Sequence, residues 1–126
     1  MVKSDILERY RSEISTLSSG DLGKETTLIE FKGLSGGVLG ECNGLAQTIY
    51  INSKYWDSLD EREKLILIAH EFYHCNCFKF KHEDVVSSSE GCPESYMSAN
   101  AGTRYCTFLY FQQYTNQIAQ GCNYKY

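Results

Sequence analysis

The residues best suited to chemistry are two histidines and a glutamate in the run His70-Glu71-Phe72-Tyr73-His74. On a helix, histidines four positions apart project from one face, close enough to bind the same metal ion. Neutral imidazole nitrogen is a good ligand for Zn²⁺. A carboxylate directly after the first histidine can reach water at the ion and accept its proton. The pattern predicts a zinc site with His70 and His74 as ligands and Glu71 as the general base.

A catalytic zinc site needs a third protein ligand and leaves the fourth position for water. His82 is the only other histidine in the chain and is the first candidate. Acidic residues near it are the alternatives, namely Glu83, Asp84, Glu90 and Glu94. The non-catalytic interpretation of the motif is a pair of core histidines that hydrogen-bond to the backbone or to tyrosine.

The element that must present these residues is a helix from Glu61 to about Cys75. Its start carries a possible capping box, either Ser58 with Glu61 or Asp60 with Glu63. The sequence predicts one buried face, which comprises Leu65, Ile68, Ala69 and Phe72. A helix that is apolar on most sides belongs in the middle of a domain.

Other elements are predicted before this helix. Amphipathic spacing indicates a helix over residues 4–17, which stops near Gly20. Residues 26–32 are typical of a strand, and the five glycines in 33–44 indicate a turn-rich connection or a bulged hairpin. Residues 47–52 alternate polar and apolar side chains, which favours an exposed or edge strand.

After the central helix, residues 77–93 are expected to be irregular, and residues 101–120 have helical spacing. No internal repeat or domain boundary is evident. The sequence therefore predicts one α+β domain over residues 1–126, with a central helix, a small mixed sheet and flanking N- and C-terminal helices.

Composition restricts the function classes. The chain has 126 residues and a net charge of −4, so we expect no nucleic-acid binding. No apolar stretch of signal-peptide length is present, and the longest aliphatic run, 65–69, is too short to span a membrane. We therefore expect a soluble protein without membrane contact, located in the cytoplasm.

Six cysteines lie at positions 42, 75, 77, 92, 106 and 122. Because no secretion signal is evident, we expect reduced thiols that pack as small apolar groups. The alternative is a disulfide-rich secreted domain in which the histidines are incidental.

The run 65–75 resembles the active-site helix of the zincin metallopeptidases, and the resemblance covers roughly residues 45 to 100. His82 is similar to the third ligand of the metzincin branch, and residues 95–98 resemble its Met-turn, with Met97 as an apolar floor beneath the metal. Residues 47–52 are similar in placement to the edge strand that pairs with substrate.

The sequence departs from metzincins after His74. Cys77 stands where they have glycine, and His82 lies eight residues after His74 instead of six. Asn76 tolerates left-handed backbone angles and is our candidate for turning the chain. Residues 92–97, Cys-Pro-Glu-Ser-Tyr-Met, resemble a pattern of small divergent prokaryotic and phage-type metallopeptidases.

This resemblance implies a zinc peptidase acting on a peptide or protein substrate, in which Tyr96 offers its phenol to the oxyanion. The alternative is a zincin-fold structural or interaction module, for example a phage particle component. In that case zinc is mainly structural or catalysis is lost, and the surface binds an assembly partner.

Overall fold

A computed structural model of the chain describes residues 4–86, 90–99 and 104–126. This part of the chain is α+β, as predicted, with four helices and a mixed three-stranded sheet. The helices are α1 (Asp5–Leu17), α2 (Ser53–Trp56), α3 (Glu61–Cys77) and α4 (Arg104–Ala119). The strands are β1 (Leu28–Lys32), β2 (Gly40–Asn43) and β3 (Thr48–Asn52), and a 3-10 turn, Gly121–Asn123, follows α4.

The sheet has the order β1-β3-β2, with β3 parallel to β1 and antiparallel to β2. The prediction of an exposed or edge strand over 47–52 is therefore wrong, since β3 is central. Its polar residues are buried because they have hydrogen-bond partners. Asn52 Nδ2 donates to the carbonyls of Leu34 and Val38, at 3.2 and 2.7 Å, and Thr48 Oγ1 donates to the Ala46 carbonyl.

The edge strand nearest the predicted site is β2, which forms from the glycine-rich segment. It pairs with β3 from Gly40 opposite Ile51 to Asn43 opposite Thr48. The predicted turn-rich connection is thus found over residues 33–39, and Gly40–Asn43 form one strand of a hairpin with β3. Residues 47–52 therefore do not have the edge position that the resemblance implies, and β2 is an edge strand of the sheet.

Helix α3 lies at the centre and packs against α1, α4, β2 and β3. Of the two possible capping boxes, the structure has Asp60 with Glu63, with hydrogen bonds of 2.9 and 3.0 Å. The predicted buried face is confirmed, because Leu65, Ile68, Ala69 and Phe72 are at most 4 % exposed.

The end of α3 differs from the prediction. The helix continues to Cys77, and the residue with left-handed backbone angles is Phe78, at φ 56°. Asn76 stays helical because its buried side chain is bonded elsewhere, with Nδ2 donating to Thr27 Oγ1 at 2.8 Å.

The two flanking helices are confirmed. Helix α1 begins after Ser4, whose Oγ accepts a hydrogen bond from the Leu7 amide. Helix α4 is described from Arg104 onwards, and residues 101–103 of the predicted helix lie outside the described residues. No helix among the described residues is both long and apolar enough to cross a membrane.

The expectation of reduced thiols is wrong, because all six cysteines form disulfides. The pairs are Cys42–Cys75, Cys77–Cys122 and Cys92–Cys106, with Cα atoms 5.7, 5.4 and 5.4 Å apart. Folding joins residues that are 33, 45 and 14 positions apart in sequence. The sequence has no local pattern for such pairings, because they depend on how α3, β2 and α4 pack. The oxidation state of the cysteines could therefore not be inferred from the lack of a recognisable secretion signal.

Candidate metal centre

The structure brings the three predicted histidines together. His70 and His74 project from one face of α3, and their Nε2 atoms are 3.1 Å apart. His82 comes from the segment after the helix, and its Nε2 lies 3.2 Å from that of His74. Candidate ligand atoms of all three residues lie within 4.8 Å of one another. The described residues contain no other such cluster of histidine, cysteine and acidic side chains.

Hydrogen bonds at the rings of His70 and His74 determine which nitrogen of each ring is free to bind a metal ion. His70 Nδ1 lies 2.9 Å from the Tyr96 carbonyl, and His74 Nδ1 lies 2.6 Å from the Lys79 carbonyl. A carbonyl oxygen only accepts, so each Nδ1 carries a proton and donates it. In a neutral ring, Nε2 then has an exposed lone pair. Metal-binding histidines are typically oriented by such a bond at the other nitrogen.

This donor set fits a metal ion. Two tetrahedral nitrogen ligands at about 2.0–2.1 Å from an ion are about 3.3–3.4 Å apart. The two Nε2–Nε2 separations, 3.1 and 3.2 Å, are close to that value. Lone pairs on His70 and His74 that face each other at this distance repel unless a cation or a proton lies between them. The donor set itself does not identify the ion.

The acidic alternatives for the third ligand are engaged elsewhere or lie outside this cluster. Asp84 Oδ1 accepts hydrogen bonds from Ser98 Oγ and the Ala99 amide, at 3.1 and 2.9 Å. Glu83 Oε1 accepts a bond from the Val85 amide at 3.2 Å. Asp84 therefore holds the turn that follows Met97, and the structure favours His82 as the third member of the set.

Burial keeps the helical histidines neutral. Desolvation lowers the pKa of His70 to about 3, and repulsion from His74 and His82 contributes in the same direction. Desolvation also lowers the pKa of His74, with a smaller contribution from His82. The neutral ring is the form that binds metal, so these two residues are in the ligand form at neutral pH.

Glu71 lies beside the cluster and close to the sheet edge. A Cβ atom placed on Gly40 of β2 would be 3.4 Å from Glu71 Cγ, so glycine allows the strand to approach the carboxylate. Glu71 is 5 % exposed, and burial, with repulsion from Glu41, raises its pKa to about 8. In the metal-free protein the Glu71 carboxyl group is therefore largely protonated at neutral pH.

The cluster opens onto a cleft of about 380 Å³. Its lining includes His70, Glu71 and His82 together with the apolar side chains of Leu39 and Leu67. A metal ion bound by the three imidazoles could be reached from this cleft. Open access is typical of catalytic sites, whereas structural zinc sites are closed by four protein ligands.

The segment that resembles a Met-turn lies against His70 through its backbone. The Ser98 amide donates to the Ser95 carbonyl, which closes a turn around Tyr96 and Met97. Both of these side chains are fully buried. The Tyr96 hydroxyl has no hydrogen-bond partner among the described residues, and burial raises its pKa. A role for this hydroxyl at the oxyanion, and for Met97 beneath the metal, stays a prediction.

Some contacts of the site could not be read from the sequence. The carbonyls that orient His70 and His74 belong to Tyr96 and Lys79, and a carbonyl carries no residue-specific signal. The Phe80 ring stacks on His74, with centroids 5.7 Å apart. Residues 78–81 have the sequence Phe-Lys-Phe-Lys, which carries no signal of a contact with the histidine motif.

The comparisons with known proteins agree with this geometry. A family model with the description "Putative phage metallopeptidase" matches residues 7–98 of the chain. The matched segment includes most of α1, the sheet, all of α3, His82 and the turn at 95–98. No curated protein matches the chain.

Proposed function

The chain belongs to the family described as putative phage metallopeptidases, and we propose that it is a zinc-dependent peptidase with a zincin-type fold. In this proposal His70, His74 and His82 hold the ion and Glu71 is the general base. The observation that carries the proposal is the convergence of three imidazoles at a cleft that Glu71 also lines. Three protein nitrogens and an open fourth side are the arrangement of catalytic zinc sites.

Zn²⁺ would supply Lewis-acid chemistry at this position, by polarising the scissile carbonyl and making water more acidic. The protein's part is to orient the groups and to move the proton. Backbone carbonyls fix the rings of His70 and His74. A cation held by the histidines would favour the ionised form of Glu71, and this carboxylate would accept the proton of the attacking water and deliver it to the leaving amide nitrogen.

The β2 edge is the proposed docking line for substrate. Strand β2 pairs only with β3 in the described sheet, so its outer backbone groups are available to an extended peptide. Gly40 brings this edge next to Glu71, because any Cβ there would meet the Tyr50 carbonyl at 3.2 Å and Glu71 Cγ at 3.4 Å.

The test is cleavage of a peptide mixture by zinc-loaded protein, by protein stripped with a chelator, and by a Glu71→Gln variant. We expect the zinc-loaded protein to cleave and the stripped protein to recover activity when zinc is restored. Glu71→Gln should still bind about one zinc per chain and lose activity by at least about 10²-fold. Cleavage that is unchanged in Glu71→Gln would overturn the assigned mechanism.

A structural or interaction module is the second candidate, and one observation favours it. Helix α4 exposes Tyr105, Phe108 and Leu109, which are 60, 61 and 42 % exposed. Exposed apolar side chains grouped on one helix are typical of surfaces that bind a protein partner. Wild-type protein that binds zinc, cleaves no peptide and is recovered only within a stoichiometric assembly would support this candidate over the enzyme.

A further inference from the structure

The last six residues, 121–126, form a segment that we call the C-terminal brace. It lies beyond the part of the chain that the family model matches. It is fixed to the end of α3 by the Cys77–Cys122 disulfide, and the Cys122 amide donates to Asp21 Oδ2 at 3.1 Å. The brace therefore has a fixed position just after the helix that carries His70 and His74.

Tyr124 of the brace contacts the turn that orients His70. Its hydroxyl donates to Ser95 Oγ at 2.7 Å, and the same Oγ accepts the Met97 amide at 2.9 Å. These bonds enclose Tyr96, whose carbonyl accepts the His70 Nδ1 proton. Tyr124 is thus connected to His70 through one turn, and its side chain is 8 % exposed.

Helix α3 also holds Tyr124 directly. The Tyr73 hydroxyl donates to the Tyr124 carbonyl at 2.7 Å, and Tyr73 is fully buried. Tyr73 precedes His74 in the helix. The helix, the brace and the 95–98 turn are therefore linked by a continuous series of hydrogen bonds that returns to His70.

Tyr126 contacts the other side of the site. Its hydroxyl donates to the Lys81 carbonyl at 2.5 Å, and Lys81 directly precedes His82. His82 is the exposed member of the histidine set, and it comes from a segment without helix or strand structure. A backbone bond at Lys81 limits where the His82 ring can lie.

We propose that the C-terminal brace is a positioning element of the metal site, with Tyr124 orienting His70 through the 95–98 turn and Tyr126 holding the backbone before His82. The inference rests on the metal site of the proposed function. Neither tyrosine touches the reacting atoms, so both are positioning residues. Loss of a partner that orients a metal ligand weakens metal binding by about 10- to 100-fold.

The test compares Tyr124→Phe, Tyr126→Phe and the double variant with a matched control, Tyr10→Phe. The Tyr10 hydroxyl makes a bond of the same length, 2.7 Å, to Glu61 Oε2, but on α1. The dissociation constant for Zn²⁺ is measured by competition with a chelator, and the geometry is followed by the visible absorption of the Co²⁺-loaded protein. Thermal unfolding of the metal-free proteins reports stability separately.

We expect Tyr124→Phe to weaken Zn²⁺ binding by about tenfold and to change the Co²⁺ spectrum, with a larger loss in the double variant. Tyr10→Phe should lower stability only. Ser95→Ala should weaken Zn²⁺ binding by a similar factor. Combining Ser95→Ala with Tyr124→Phe should weaken binding little further, because both substitutions remove the same hydrogen bond between Tyr124 and Ser95.

The outcomes separate the two proposals. If both brace variants lose stability like Tyr10→Phe but keep the wild-type Zn²⁺ affinity and Co²⁺ spectrum, the brace is only structural and this inference is wrong. If wild-type protein binds neither ion, the proposed metal site itself is wrong, and the inference is overturned with it.

Discussion

The helix side and the loop side of the candidate site are built by different means. On the helix side, His70, Glu71 and His74 are placed by the regular geometry of α3, and all three are buried. On the loop side, His82 is exposed, and its segment is held by contacts with residues distant in sequence. One half of the site thus depends on local periodicity, and the other half depends on tertiary structure.

Two of the three disulfides tie a segment outside the long helices and the sheet to a helix. Cys92–Cys106 joins the segment before the 95–98 turn to α4, and Cys77–Cys122 joins the end of α3 to the C-terminal brace. In the chain-entropy account, a cross-link that closes a loop of this size stabilises a fold by about 3–4 kcal/mol. A candidate metal ligand can thus lie on a loop when neighbouring segments are tied to the rest of the fold.

Reduction of the disulfides should therefore have the largest effect, and mainly on the loop side. We expect metal-free protein in reductant to lose about 3 kcal/mol or more of stability per bond. Hydrogen exchange reports the two sides separately. The amides of Glu83 and Glu94, bonded to the Met97 and Val85 carbonyls at 3.1 and 3.0 Å, should lose protection before the Ile68 amide in α3. Equal loss at all three amides would remove the distinction between the two sides.

Alanine substitution of the ligands should give the next largest effect. If three ligands share a binding free energy of about 10 kcal/mol, removal of His74 weakens Zn²⁺ binding by more than about a hundredfold. His82→Ala should weaken Zn²⁺ binding about tenfold less than His74→Ala does, because the loop residue gives up conformational freedom when it binds the ion. Chelator competition measures both constants. An equal loss for the two variants would show that the loop side is as preorganised as the helix.

The pH dependence of Glu71 tests the helix side alone. Its pKa is raised from 4.5 to about 8 in the folded protein, so its contribution to stability is complete below about pH 4.5 and is lost as pH rises to about 8. Metal-free wild type should lose about 1.4 kcal/mol per pH unit in this range relative to Glu71→Gln. The histidines are common to both proteins, so their opposite titration cancels.

Urea unfolding of both proteins in chelator at about pH 5, 6 and 7 measures this difference. Parallel stability curves for wild type and Glu71→Gln would mean that the Glu71 carboxyl group is solvated, which would contradict its burial.

Substitution of Tyr96 should have the smallest effect on stability. Its hydroxyl is buried without a partner among the described residues, and such a group costs about 1 kcal/mol or more. Tyr96→Phe should therefore raise the free energy of unfolding by about 1 kcal/mol. Cleavage kinetics decide the catalytic prediction: a fall in kcat of about 10²-fold would support an oxyanion role. An unchanged kcat would make Tyr96 a structural residue.

The features that could be predicted from the sequence lie mainly on the helix side of the site, and those that could not lie mainly elsewhere. The motif, the capped helix and its buried face depend on spacing within one element, and α3 has them as predicted. The predicted edge position of residues 47–52 is wrong, because the alternation of polar and apolar residues does not reveal that the Thr48 and Asn52 side chains hydrogen-bond to backbone carbonyls. The disulfides, the brace and the carbonyls behind the histidines depend on pairings that only the folded chain creates.

The X-ray absorption spectrum of the zinc-loaded protein shows directly whether three imidazoles bind one metal ion. We expect about one zinc per chain, with three imidazole nitrogens at about 2.0–2.1 Å and one further light atom. Sulfur ligands at about 2.3 Å, or a spectrum unchanged in a His70→Ala variant, would contradict it.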